Sequence, residues 1–249
     1  MVNENRQPID LLVTHAVVHT LDAEKRVFAD GALAVRAGEI VAVGETADLE
    51  GRFEALQIRK ANDLHLIPGL VNTHNHLFQV FARSKGKDLR FIDWVEGAVR
   101  PLINYLDEEA CYLAAMIGCL EAIRSGTTTI LDYMYVANRP GLCDGILQAF
   151  DEIGLRGILG RGFNTMETMP WGSPSTSYEP VDAALADLAR LQRIAKPNPR
   201  LSIALARGVI WSMSAEGVAA SVELQRQGML VTLHLQENEL DDEYSLKMF

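Results

Sequence analysis

The chain has 249 residues, 48% of them hydrophobic and 22% charged, which suits a globular protein with a sizeable core and excludes the disordered and disulfide-scaffold classes. Acidic residues outnumber basic ones, 33 to 23, and the resulting net charge of -10 repels phosphate backbones and anionic head groups, so neither nucleic acid nor a membrane is an expected partner. Three cysteines, Cys111, Cys119 and Cys143, are an odd number without CxxC spacing and read as buried thiols. The N-terminal stretch MVNENRQPIDLL carries no secretory pattern, and no apolar run approaches the roughly 20 residues that span a bilayer. The expectation is a cytoplasmic protein.

In chain order, the first elements are β-rich: strands are expected at 10–21, 31–35, 39–43 and 64–67. Ala37-Gly38 lies between two apolar runs and can supply the positive φ of a tight hairpin turn. From Pro68 onward short apolar runs alternate with longer amphipathic stretches, the rhythm of consecutive βα units in a parallel sheet. Strands are expected at 69–72, 127–132, 155–159, 201–206 and 230–234. The predicted organisation is a small β portion over 1–67 followed by an α/β unit over 68–249.

The helices between these strands are punctuated. Asp107 caps one that ends near Gly126, with Leu113, Met116, Ile117, Leu120 and Ile123 as its expected buried stripe. Pro140 opens the next, with Leu142, Ile146, Phe150 and Ile153 inward and Gly154 as its stop; Ser214 and Gly228 bracket a third. Two insertions, 77–105 and 161–179, follow strand C-termini, the face on which a parallel barrel gathers its substrate loops. Met166, Met169, Trp171 and Tyr178 make the second of these unusually apolar; a simply packed loop is the alternative.

His74 and His76 stand at i and i+2 at the end of the first of these strands, so on extended backbone both imidazoles face one side. His234 ends the fifth. In a closed eight-stranded barrel the first and fifth strands lie across from each other, so the three rings would converge on one position, a familiar ligand set for catalytic zinc. Glu237, three residues on, could then take a proton from water and deliver it to substrate nitrogen. The alternative is a solvated glutamate opening the acidic run Glu239, Asp241, Asp242 and Glu243. His15, His19 and His65 fall in the β portion and read as structural.

The segments PGLVNTHNHLFQ, SGTTTILDY and LHLQENELDDEY resemble the first, second and fifth strand motifs of the amidohydrolase superfamily, especially its ring-deaminating and triazine-hydrolysing members. The resemblance implies a partial TIM (β/α)8 barrel of about five βα units, preceded by a small β-sandwich half-domain. It also implies one divalent ion, zinc or else iron, on His74, His76 and His234, with Glu237 as proton shuttle. Gln79 would contact the substrate ring, and Trp94 would be an apolar wall residue. Binuclear members place a lysine at the end of the fourth strand, where this chain has Leu205-Ala206-Arg207, so a mononuclear site is implied. The segment Arg207-Gly208-Val209-Ile210-Trp211 departs from the proline-containing segment common in the aminohydrolases.

The implied activity is hydrolytic deamination of a purine-, pterin-, pyrimidine- or triazine-like ring by metal-activated water, with a small heterocycle as substrate and any self-association as a homo-oligomer. Loss of chloride or alkylamine from a triazine is an alternative. Family members carry further ligands on the sixth and eighth strands, and none of that half is present in these 249 residues. The chain is therefore expected to be a fragment or the product of a truncated gene, with an inactive remnant serving in binding or assembly as the remaining alternative.

Overall fold

The structure, a computed structural model, describes residues 6–248. Residues 1–5, the start of the stretch without a secretory pattern, and Phe249, where the chain stops, lie outside the described residues. Two compact units divide after Gly69.

The first unit is a five-stranded sheet with β1 (Gln7–His19), β2 (Val27–Arg36), β3 (Glu39–Glu45), α1 (Thr46–Arg52), β4 (Phe53–Lys60) and β5 (His65–Leu66). Its order is β3-β2-β1-β4, with β5 also pairing with β1. β2 and β3 are joined by the expected two-residue turn, in which Ala37 and Gly38 take φ of 51° and 79°. That left-handed pair matches the twist of the flanking strands, and only glycine adopts it without steric cost. Ile9, Leu12, Ala32, Ala34, Leu49 and Phe53 form the core of this unit.

Two of its elements, α1 and β4, lie outside the strands expected from the sequence. In FEALQIRK only Phe53 is buried, while Leu56 and Ile58 are exposed, so alternation of apolar and polar residues gives no clean face. The histidines of this unit have local partners: His15 Nδ1 lies 3.0 Å from Asp30 Oδ1, and His19 Nε2 lies 2.8 Å from His65 Nδ1.

The second unit carries β6 (Leu70–Asn75), a 3-10 turn at Leu77–Ala82, α2 (Phe91–Trp94), a π turn at Val95–Val99, α3 (Arg100–Tyr105), α4 (Glu108–Arg124), β7 (Thr127–Met134), α5 (Leu142–Ile153), β8 (Arg156–Phe163), α6 (Val181–Ala195), β9 (Leu201–Arg207), a 3-10 turn at Ile210–Ser212, α7 (Ala215–Arg226), β10 (Val231–Thr232) and α8 (Glu239–Met248). The strands form one parallel sheet in the order β10-β9-β8-β7-β6, five strands of a partial TIM barrel. β7 and β8 are buried along most of their length and β9 at Ala204, Leu205 and Ala206, as parallel strands covered on both faces must be. Among the described residues no helix is long and apolar enough to cross a membrane.

Most helix ends follow the sequence, although α5 starts at Leu142 behind a left-handed Gly141, with the expected opener Pro140 in the preceding turn. Asp107 accepts from Ala110 N at 2.8 Å and Ser214 from Gly217 N at 3.1 Å, while Gly126, Gly154 and Gly228 all have positive φ. The buried stripe assigned to α4 is a different matter. Leu113, Ile117, Leu120 and Ile123 are 41–52% exposed, and the inward face is instead Cys111, Ala114, Ala115 and Cys119. α4 is apolar nearly all round, so its sequence offers no unique stripe, and close packing selects the small side chains. A Cβ on Gly145 of α5 would lie 2.3 Å from the carbonyl oxygen of Glu108, which shows how near the two helices come. The cysteines of α4 and Cys143 are free and buried, and desolvation pushes the thiols of Cys111 and Cys119 up to about 12.

Strand boundaries shift as well, three of them near the strand ends that bear on the site. β6 runs through His74 to Asn75 rather than ending at Asn72, and β8 extends to Phe163, so Arg161 belongs to a strand and the second insertion starts after it. β10 is only Val231–Thr232, because it pairs on one side alone, with β9, and His234 stands two residues beyond it. On the opposite edge Leu70 and Val71 of β6 are at least half exposed, as expected of an open sheet.

Candidate metal centre

β6 carries His74 on its extended backbone and delivers His76 one residue past its end, so the two rings share a side. Their Nε2 atoms are 3.2 Å apart. His234, arriving from the far edge of the same sheet, brings its Nε2 to 3.2 Å from that of His74. All three nitrogens lie within 4.8 Å of one another, and among the described residues the cluster contains no carboxylate. Nitrogens bound at about 2.0–2.1 Å to one tetrahedral ion are separated by a little over 3 Å, as both pairs that include His74 are, so with the rings of His76 and His234 drawn together the donor set suits a single divalent cation.

The rings are held from behind. His76 Nδ1 donates to the carbonyl oxygen of Tyr133 at 2.7 Å, which leaves Nε2 as the lone-pair nitrogen facing the cluster. The phenol of Tyr133 packs against all three imidazoles, with centroids 5.6, 5.3 and 4.5 Å from those of His74, His76 and His234, and its hydroxyl donates to the carbonyl oxygen of Arg207. Desolvation, reinforced by the neighbouring rings, lowers both His76 and His234 to about 4, so both rings are neutral at physiological pH, the state in which an imidazole can bind a metal.

Beneath them Asp132 is wholly buried. Its Oδ1 accepts from the backbone N–H of Leu77, next to His76, at 2.8 Å, while Oδ2 has no partner among the described residues. Burial raises this carboxyl to about 7 despite the Leu77 hydrogen bond. An acid whose folded pKa exceeds its unfolded value of 3.8 leaves the native state holding the extra proton between those two pH values, so stability falls as pH rises through that window and is level above it. Asp132→Asn removes this titration. The difference in unfolding free energy between variant and parent is expected to shift in favour of the variant by on the order of 4 kcal/mol from pH 4 to pH 8. Urea denaturation of both proteins across that range measures it; a difference independent of pH rejects it.

A cavity of about 820 Å³, its open mouth included, adjoins the cluster. The structure puts His76, His234 and Glu237 in its lining together with Gln79 and Trp94; His74 stands at the cluster but outside that lining. Gln79 Nε2 donates to the hydroxyl of Tyr135 at 2.8 Å, which frees its carbonyl oxygen. Glu237 is exposed at the mouth, where desolvation and the nearby Asp241 raise its carboxyl above the usual range. Both sequence insertions contribute walls, through Phe91, Val95 and Val99 and through Met169, Trp171 and Ser177.

Several residues here had not been singled out. Tyr133 and Tyr135 alternate at the C-terminal end of β7 just as His74 and His76 do near that of β6, and that same spacing could have flagged them. Glu96 and Arg100 sit four apart on one helical turn and join Trp171 and Ser173 of the other insertion, a link between distant segments that sequence does not carry.

The chain is 30% identical over 244 residues to a 5-methylthioadenosine/S-adenosylhomocysteine deaminase of Nitratidesulfovibrio vulgaris, covering 98% of this chain and 52% of that protein. Among solved structures, a zinc-bound adenosine deaminase from Xanthomonas campestris aligns with a TM-score of 0.84 at 25% identity, over 98% of this chain and 53% of that one. A zinc-complexed atrazine chlorohydrolase from Arthrobacter aurescens shares the fold, with a TM-score of 0.83 at 21% identity over 96% and 55% of the respective chains. The chain thus spans about half the length of the relatives it matches. Residues 65–249, most of the chain and all three clustered histidines, match the model of the amidohydrolase family, and the chain belongs to that family.

Proposed function

We propose that a polypeptide containing this chain catalyses hydrolytic deamination of a heterocyclic ring. The observation that carries the reading is the convergence of three imidazole Nε2 atoms beside an aromatic-lined cavity that also holds a carboxylate. His74, His76 and His234 hold one divalent ion, read as zinc because neutral imidazoles suit it and both zinc-bound neighbours share the fold. Such an ion, when bound, supplies a Lewis acid that makes water nucleophilic near neutral pH.

The remaining work falls to the chain's own side chains. Glu237, its carboxylate made more basic by desolvation and Asp241, accepts the proton of the attacking water and passes it to the exocyclic nitrogen, which leaves as ammonia. Gln79, anchored through its amide nitrogen on Tyr135, offers its carbonyl oxygen to a ring N–H. Trp94 forms part of the apolar wall that receives the ring's flat face and keeps bulk water out.

Incubating the zinc-loaded protein with adenosine derivatives, guanine and aminotriazines while monitoring ammonia tests this. Ammonia released in equal amount to deaminated product is expected. Release of chloride or alkylamine from a triazine, with no ammonia from any substrate, would replace deamination by that related hydrolysis.

A further inference from the structure

All three tryptophans of the chain, Trp94, Trp171 and Trp211, line the cavity beside the histidine cluster. Trp171 and Trp211 meet edge to face with centroids 5.5 Å apart, a wall suited to an uncharged substituent. The cavity also contains one permanent cation among its described lining residues, Arg100.

A lone guanidinium in such a place would ordinarily mark a site for phosphate or carboxylate. Here it is already engaged. Its Nε lies 2.6 Å from Glu96 Oε2 as an ion pair without a hydrogen bond, and the two hydrogens of its Nη2 are shared among Glu96 Oε1 at 3.2 Å, Ser173 Oγ at 2.9 Å and the Pro174 carbonyl at 2.8 Å. Glu96 Oε1 also accepts from Trp171 Nε1 at 2.9 Å and from Ser173 Oγ at 3.0 Å. One carboxylate thus neutralises the cation and fixes the indole of the wall. An anionic substituent entering this space would meet a guanidinium whose charge Glu96 already balances, and would gain too little from it to offset its own desolvation, a cost that an alkyl or thioether group does not bear.

We propose that Glu96 is a specificity-determining residue that, by neutralising Arg100 and anchoring Trp171, selects heterocycles with an uncharged apolar substituent over those with an anionic one. This rests on the heterocycle reading above and adds to it the chemistry of the substituent.

The indoles are themselves the probe, because every tryptophan of the chain borders the cavity. Quenching of intrinsic fluorescence of the zinc-loaded 249-residue chain gives dissociation constants for adenine, 5′-methylthioadenosine and adenosine 5′-monophosphate, which share a ring and differ in charge. The methylthio compound is expected to bind at least about 10-fold more tightly than the monophosphate. Glu96→Gln leaves Arg100 uncompensated, so this ratio is expected to fall at least about 10-fold, mostly by tighter binding of the monophosphate and most clearly at low salt. Equal affinities in the parent protein, or an unchanged ratio in a folded variant, overturn the inference while leaving the heterocycle reading intact. Absence of binding by all three compounds overturns both. Should the variant fail to fold, the parent's ratio decides alone.

Discussion

Replacing His234 with alanine is expected to weaken divalent-metal binding by at least about 100-fold, because even loss of a group that merely orients a ligand costs about 10- to 100-fold. The effect should be large for a structural reason. His74 and His76 come from one sheet edge and His234 from just past the other, so removal of His234 leaves two donors on one side of the ion. Calorimetric titration of the metal-free chain with zinc measures the loss. A second readout follows from linkage: at zinc concentrations about 100 times the dissociation constant, the parent gains about 2.7 kcal/mol of stability, and the variant at the same concentration gains well under half of that. His15→Ala, in the other compact unit, where its ring pairs with Asp30, serves as the control and should bind zinc unchanged. Equal affinity in the His234 variant would remove the basis of the metal assignment.

Glu237→Gln carries the other large expectation. Glutamine keeps the size and the polar contacts of the side chain but cannot accept a proton, so wherever deamination is measured, in this chain or in a longer polypeptide containing it, kcat should drop by about 10² to 10⁴. KM and zinc content should change little, since Glu237 is not among the three clustered histidines. Raising the pH should not rescue the variant. A variant retaining more than a tenth of the parent's kcat would assign the proton transfer to another group and return Glu237 to the acidic, solvated helix start that the sequence also allows.

The parts of this account that sequence made legible are those that local spacing dictates. His74 and His76 share a side because strand backbone alternates, and the caps at Asp107 and Ser214 follow from side-chain oxygens reaching the first amides of a helix. The approach of His234 needed the parallel order of the sheet, and the βα rhythm after Pro68 supplied it.

What stayed hidden depended on packing. The inward face of α4 is set by the close approach of α5 at Gly145 and of Leu77 at Gly118, where a Cβ would lie 2.3 and 2.4 Å from its neighbours, and no periodicity in an all-round apolar helix encodes that. β4 was missed because its exposed Leu56 and Ile58 blur the alternation that identifies strands. Glu96, Arg100 and Trp171 come together only because two insertions, some 75 residues apart in sequence, cover the same cavity.

X-ray absorption spectroscopy of the zinc-loaded chain tests the central claim most directly. One zinc per chain is expected, with three imidazole nitrogens at about 2.0–2.1 Å and the remaining coordination from light oxygen donors. A first coordination sphere with one imidazole or none, or zinc bound equally well when His74, His76 and His234 are all replaced by alanine, would contradict it.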